Sequence, residues 1–345
     1  MLLRLSGMIG AGLLLGFAPA AQTAGWSALV GIPIAGLVLL ALLRVGRWAE
    51  PFPVALGLLL RVLAGAAVLG AVTVYVAPGQ PVVAFGVLAV ALAVRASGYQ
   101  PPALAVQLLT GLVLAVLLAV VAASFAIAPV VPFEPNQLDP LGVARVLGLF
   151  LFALLGVGTG ERGSASMALG GGAFALLAVG AAALYQLGPA RLGLSPAPLR
   201  DMLAAADATA LGGLLDGAVL VIAVIAVYWL LGGIGTAAGS LGLPGIAAIW
   251  STVGGLLILV AGLFGTPTEL LVLAGCVALA WCGWPALRAV YLDRSKLAAG
   301  CLVVLAIALA AQPVGYLGVA ALLVLLAAAG ALAARRTNRD QLTTR

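Results

Sequence analysis

The sequence predicts an all-α polytopic membrane protein with twelve transmembrane helices, and three observations carry that expectation. Of its 345 residues, 64% are hydrophobic, 8% are charged and 46 are glycine, and the mean hydropathy is +1.27; water-soluble domains carry about three times that share of charge. Apolar stretches recur near 5–22, 25–43, 54–76, 82–94, 102–127, 141–159, 165–187, 213–237, 245–263, 268–284, 297–311 and 314–334. A helix needs about 20 such residues to cross the hydrocarbon core, so twelve crossings use roughly 240 and leave short connections. The third observation is that the basic residues alternate from break to break.

The elements follow in order. The first breaks are Arg44 with Arg47, Ala77-Pro78-Gly79-Gln80-Pro81, Arg95, the segment Phe133-Glu134-Pro135-Asn136-Gln137-Leu138-Asp139-Pro140, and Arg162, all charged or rich in turn formers. Numbered alternately, one set holds Arg4, Arg44, Arg47, Arg95, Arg162, Arg288, Arg294, Lys296, Arg335, Arg336, Arg339 and Arg345. The other set holds Arg191 and Arg200, with Arg145 near it. Arginine and lysine collect on the cytoplasmic side, so both termini are expected inside, at the plasma membrane. The net charge of +6 then reports topology and partnership with a lipid bilayer rather than with nucleic acid.

Two segments stand apart. The opening basic residue, apolar run and Ala18-Pro19-Ala20 follow the pattern of a cleaved signal peptide, but the glycine-rich interior SGMIGAGLLLG favours a retained first span. Residues 188–212 form the longest break, with Leu199, Met202, Leu203 and Ala206 at helical spacing among Arg191, Arg200, Asp201 and Asp207. That pattern fits a short amphipathic helix on the outer face or an ordinary surface loop.

Composition excludes several chemistries. The chain has no histidine, which removes HExxH metal sites and histidine-based triads. Cys276, Cys282 and Cys301 lie in apolar runs without CxxC spacing and read as small core residues. The ten acidic residues are scattered singly, so no metal site, cofactor or enzymatic centre is expected.

Function is sought instead inside the membrane. The first span carries Gly7, Gly10, Gly12 and Gly16; the sixth carries Gly156, Gly158 and Gly160 after Phe150, Phe152 and Leu155. Glycine-interrupted spans at corresponding positions of two halves mark the binding site of many transporters. There helices unwind and offer N–H groups to an anion and carbonyls to an ammonium or cation. Close helix packing is the competing explanation of the same glycines, and it suffices for Gly170-Gly171-Gly172 and Gly254-Gly255.

Gly7-Met8-Ile9-Gly10-Ala11-Gly12, followed by Ala20-Ala21-Gln22 and Gly25-Trp26, resembles the broken first span of the amino acid-polyamine-organocation (APC) superfamily of permeases. Ser97-Gly98 with Val106-Gln107 and Thr110, Phe152-Ala153 with Gly156, and Gly239-Ser240-Leu241-Gly242-Leu243-Pro244 are similar to that family's fifth, sixth and eighth spans. The resemblance implies a five-plus-five inverted repeat of the leucine-transporter type, with repeat one at 5–127, repeat two at 141–284, extra helices at 297–334 and a tail at 335–345. It implies that Ile9, Gly10, Ala11 and Gly12 meet a substrate carboxylate, while Phe152, Leu155, Gly156, Val157 and Gly158 surround the amine and side chain.

Departures accompany the likeness. Val157 and Gly158 stand where the family has a closing aromatic residue and then often an acid, an arginine expected late in span 8 is absent from Gly233–Gly239, and no lysine or arginine occurs between Arg95 and Arg145. Thr236, Ser240 and Glu161 are the candidates for coupling to a proton or sodium ion, and Glu269 for an outer gate; helix capping or solvation is the alternative for the acids, Asp216 included. Arg61, inside span 3, is read as snorkelling to the inner surface. The expected function is secondary active transport of amino acids or related amines by alternating access, coupled to a proton as a symporter. The alternatives are a non-transporting relative and a nucleobase or cation symporter on the same fold.

Overall fold

A computed structural model of the chain describes residues 11–45, 48, 50–129, 138–155, 162–243 and 247–343. Among the described residues every regular element is helical. We label them α1 (Ala11–Leu15), α2 (Phe17–Ala24), α3 (Ala28–Val45), α4 (Pro51–Tyr75), α5 (Pro81–Ala96), α6 (Ala103–Ala126) and α7 (Pro140–Leu154). The remainder are α8 (Arg162–Leu194), α9 (Pro198–Ala205), α10 (Gly212–Ser240), α11 (Ala247–Phe264), α12 (Pro267–Asp293), α13 (Lys296–Ala310) and α14 (Val314–Thr343).

Over the described residues, the apolar stretches read from the sequence coincide with helix. Among the described residues eight segments are long and apolar enough to cross a membrane, and α5, α7 and α13 are shorter apolar helices. The burial pattern is that of a protein solvated by lipid: α6 buries Val106, Val113, Leu117 and Val120 on one face, while Leu104, Leu108, Leu112 and Leu118 of the same helix are exposed. An apolar surface that extensive is stable beside acyl chains and not beside water.

Local chemistry explains where helices start and turn. Proline stands at the first helical position of α4, α5, α7, α9 and α12, where its missing N–H has no partner to lose. Thr266 and Glu269 close a capping box at the start of α12. Gly25 has φ 55°, a left-handed conformation that glycine adopts without steric cost; the chain reverses there, so α3 turns back beside α2. Gly188, with φ 67°, kinks α8 before Pro189.

The 188–212 region is helical and not an ordinary loop. Helix α8 continues past Gly188 to Leu194, and α9 then buries Leu199, Met202 and Leu203 against α8 and α6. Gly170-Gly171-Gly172 lies within α8 without interrupting it.

The packing falls into two groups. In one, α2 lies on α8 and α7 lies on α3, with α3 also against α8. In the other, α4 and α10 form the central pair, α5 packs on α10, and α11 packs on both. Helix α6 touches α10 and α8, whereas α12 touches α4, α7 and α3; α13 is applied mainly against α12, and α14 against α4 and α12. Tyr75, Phe150, Leu151 and Leu154 are among the large side chains fully enclosed between these layers.

Candidate functional site

The geometry that matters is the meeting of α1 with α7. A Cβ built on Gly12 would stand 2.3 Å from Ala153 Cβ and 2.7 Å from Ala153 Cα, and one on Gly16 would stand 3.0 Å from Leu149 Cδ2. At the far end, a Cβ on Gly142 would meet Ala24 Cα at 2.9 Å. Each advance along α1 and α2 is therefore matched by a retreat along α7, which makes them antiparallel neighbours in close backbone contact.

Gly16 joins α1 to α2 with little disturbance, since its N–H bonds Gly12 O at 3.0 Å and its carbonyl accepts from Ala20 N at 3.2 Å. Helix α7 runs about 22 Å, short of the roughly 30 Å hydrocarbon thickness. Gly12 of α1 meets Ala153 in the last turn of α7. A helix C-terminus carries a partial negative charge, so the carbonyls that end α7 at Leu154 set a negative potential at this junction.

Two of the sequence-predicted site residues, Gly12 and Phe152, are brought to this junction, with the Ala11 backbone at the start of α1 and Leu155 just beyond α7. Phe152 is buried and Leu155 half-buried. Ile9, Gly10, Gly156, Val157, Gly158 and Glu161 lie outside the described residues. Thr236 and Ser240 sit on the last turns of α10, where their hydroxyls donate to Gly233 O at 3.1 Å and Ala237 O at 2.8 Å. Glu269 accepts from Thr266 N at 3.0 Å and its own N–H donates to Thr266 Oγ1 at 3.3 Å. That is the capping reading of Glu269 in structural form. Asp216 is held by Arg200 at 2.7 Å.

Below the end of α7 lies a small cavity of about 20 Å³, lined by Leu39, Leu43, Leu154, Leu155, Leu169 and the indoles of Trp48 and Trp281. The indoles are 4.2 Å apart at 35°, and Trp48 Nε1 is buried without a hydrogen-bond partner among the described residues. Trp281 Nε1 donates to Pro53 O at 2.8 Å, Trp284 Nε1 donates to Glu50 Oε2 at 2.9 Å, and Arg288 Nε reaches Glu50 Oε1 at 3.2 Å. These bonds tie the start of α4 to the second half of α12 and close that end of the bundle.

The opposite end is closed by a different network. Tyr75, the last residue of α4, is fully buried; its Oη donates to Leu14 O at 2.8 Å and accepts from Leu199 N at 3.1 Å. Arg200 donates to the Tyr75 carbonyl and to Asp216. One phenol thus joins the α1–α7 junction, α4 and the amphipathic helix α9. Sequence reasoning found neither closure, nor Ala153 as the partner of Gly12. The tryptophans and the two-residue spacing to Glu50 gave no periodic signal, and the partners lie far apart along the chain.

No group of histidine, cysteine, aspartate or glutamate among the described residues is arranged to hold a metal ion. The chain matches no family model and no curated protein.

Proposed function

We propose that this chain is a secondary transporter of amino acids or related amines, working by alternating access around the α1–α7 junction. The observation that carries the reading is the close antiparallel contact at Gly12 and Ala153, which sets the negative C-terminal end of α7 against the backbone of α1. The ammonium of an amino acid or amine suits that negative end, and the APC resemblance assigns the carboxylate to the backbone of Ile9, Gly10, Ala11 and Gly12. No titrating side chain is needed for that recognition, which suits a chain so poor in charge.

The packing also supports the five-plus-five repeat that the APC resemblance implies. Advancing each apolar segment by five exchanges α2 on α8 for α7 on α3, α5 on α10 for α11 on α4, and α6 on α10 for α12 on α4. Both members of each pair are packed contacts. On this reading α1–α3 with α7 and α8 rock against the α4, α5, α10 and α11 group, and α13 and α14 are additions. Twelve passes with both termini inside are supported by the distribution of arginine and lysine. Coupling to a proton or sodium, with Thr236, Ser240 or Glu161 taking part, and gating by Glu269 belong to the same proposal.

A ligand that binds only the folded protein raises its melting temperature, by an amount set by concentration over Kd. Purified protein in detergent is to be heated with amino acids, with amines lacking a carboxylate, with carboxylates lacking an amine, and with nucleobases. The proposal expects stabilisation by zwitterions beyond either half-molecule, and its reduction in Gly12→Ala. A response confined to nucleobases would transfer the reading to that class of symporter. The apolar lining of the cavity favours a second reading, a membrane protein that transports nothing, and absence of any response would favour it.

A further inference from the structure

The arginine-rich end of the bundle holds two guanidinium groups that enter no ion pair among the described residues. Arg61 lies about 15 Å along α4 from Pro51, and Arg95 is in the last turn of α5; both are half-buried. They rest on consecutive glycines of α10. A Cβ on Gly233 would stand 2.5 Å from Arg61 Nε, and one on Gly232 would stand 2.9 Å from Arg95 Nη1. Any other residue at either position would have to displace a guanidinium. Glu50, at the start of the same helix as Arg61, is occupied by Arg288 and Trp284.

Neighbouring aromatic residues mark the depth of this pair. Arg95 Cζ stands 5.6 Å from the Tyr228 ring centroid, Tyr228 Oη donates to Tyr99 O at 3.1 Å, and Trp229 meets Tyr228 edge-on at 5.5 Å. Trp229 and Tyr99 are 43% and 57% exposed. Exposed tryptophan and tyrosine beside cations is the composition of the membrane–water boundary, where phospholipid phosphates lie.

We propose that Arg61 and Arg95, seated on Gly232-Gly233, bind the phosphate of an anionic phospholipid in the leaflet facing the arginine-rich loops. Each guanidinium presents a planar fork of donors that matches phosphate oxygens, and basic pockets between helices at this level recognise anionic headgroups. The lipid supplies the negative charge that the protein does not. It would also bridge α4, α5 and α10, so headgroup composition would tune the packing of that group.

Native mass spectrometry of the delipidated protein, titrated with phosphatidylglycerol or phosphatidylcholine, tests this. The expected result is retention of phosphatidylglycerol with roughly tenfold preference, weakened in Arg61→Gln and in Arg95→Gln and lost in the double variant. Arg191→Gln, an exposed arginine at the other end, should leave it intact. A double variant with unchanged preference overturns the proposal, as does equal weakening by Arg191→Gln. Inorganic phosphate is the second arm: if it displaces the lipid and stabilises the protein equally well, the site serves a soluble anion and the lipid assignment is wrong. If a glutamine variant fails to run as a monodisperse peak, Arg61→Lys and Arg95→Lys keep the charge without the fork, and retention between wild type and none is expected.

Discussion

Replacing Tyr75 by Phe removes one oxygen from the interior and leaves the ring in place. The hydroxyl satisfies Leu199 N–H in the first turn of α9 and donates to Leu14 O in α1. Tyr75 is fully buried, so water does not readily replace it, and an unsatisfied buried group costs about 1–3 kcal/mol. The ring's own packing is retained, so cavity terms stay small. If that cost falls on the docked state of α9, the docked-to-undocked ratio drops by about 5- to 150-fold. Hydrogen exchange read over residues 198–206 measures this ratio directly. Protection of those amides should fall by a factor in that range in Tyr75→Phe, while amides in the middle of α10 keep theirs. Unchanged protection over 198–206 would refute the argument that the phenol fastens α9 to α4 and α1.

Four further outcomes follow from the same geometry. Asp216→Asn should change thermal stability by at most about 1 kcal/mol, because the Arg200–Asp216 pair is roughly one-third exposed on both sides; a larger loss in a melting curve would contradict a screened pair. Gly275→Ala should destabilise by about 1–3 kcal/mol through overpacking, since its Cβ would stand 3.0 Å from both Gly148 C and Leu149 N; an unchanged melting temperature would mean that α7 and α12 part easily. Trp284→Phe keeps the ring contact with Phe52 but removes the donor to Glu50, and a loss of about 0.5–1.5 kcal/mol is expected in the same assay. Glu269→Gln should reduce stability only slightly, as the amide can still accept from Thr266 N, and normal uptake by that variant would end its candidacy as a gate.

Much of the architecture was legible because lipid imposes simple rules on sequence. Stretch lengths and the alternation of arginines required only counting, and the described parts of the apolar stretches are helical in the structure. Helix α9 was also visible, through Leu199, Met202 and Leu203 at helical spacing. What could not be read was the pairing of distant positions. Gly12 carries the same local signal as Gly170, yet one touches the backbone of Ala153 and the other has open space around its Cβ position. Tyr75 looked like the end of an ordinary span, because its partners Leu14 and Leu199 offer only backbone groups, which sequence does not distinguish. The short length of α7 was obscured by continuous hydrophobicity from 141 to 159. Arg61 was legible as a charge within a span, but its seat on Gly233 depends on how α4 crosses α10.

The central claim is that the meeting of α1 and α7 forms a transport site, and uptake by proteoliposomes tests it most directly. Purified wild-type protein and Gly12→Ala are to be reconstituted side by side, given a mixture of labelled amino acids, and assayed with and without an inward proton gradient. The account predicts that wild type concentrates at least one amino acid when the gradient is present and that Gly12→Ala, folded and inserted equally, is impaired. Equal uptake by the two proteins would contradict the placement of the site, and no uptake of any amino acid or amine by correctly inserted wild type would contradict transport itself.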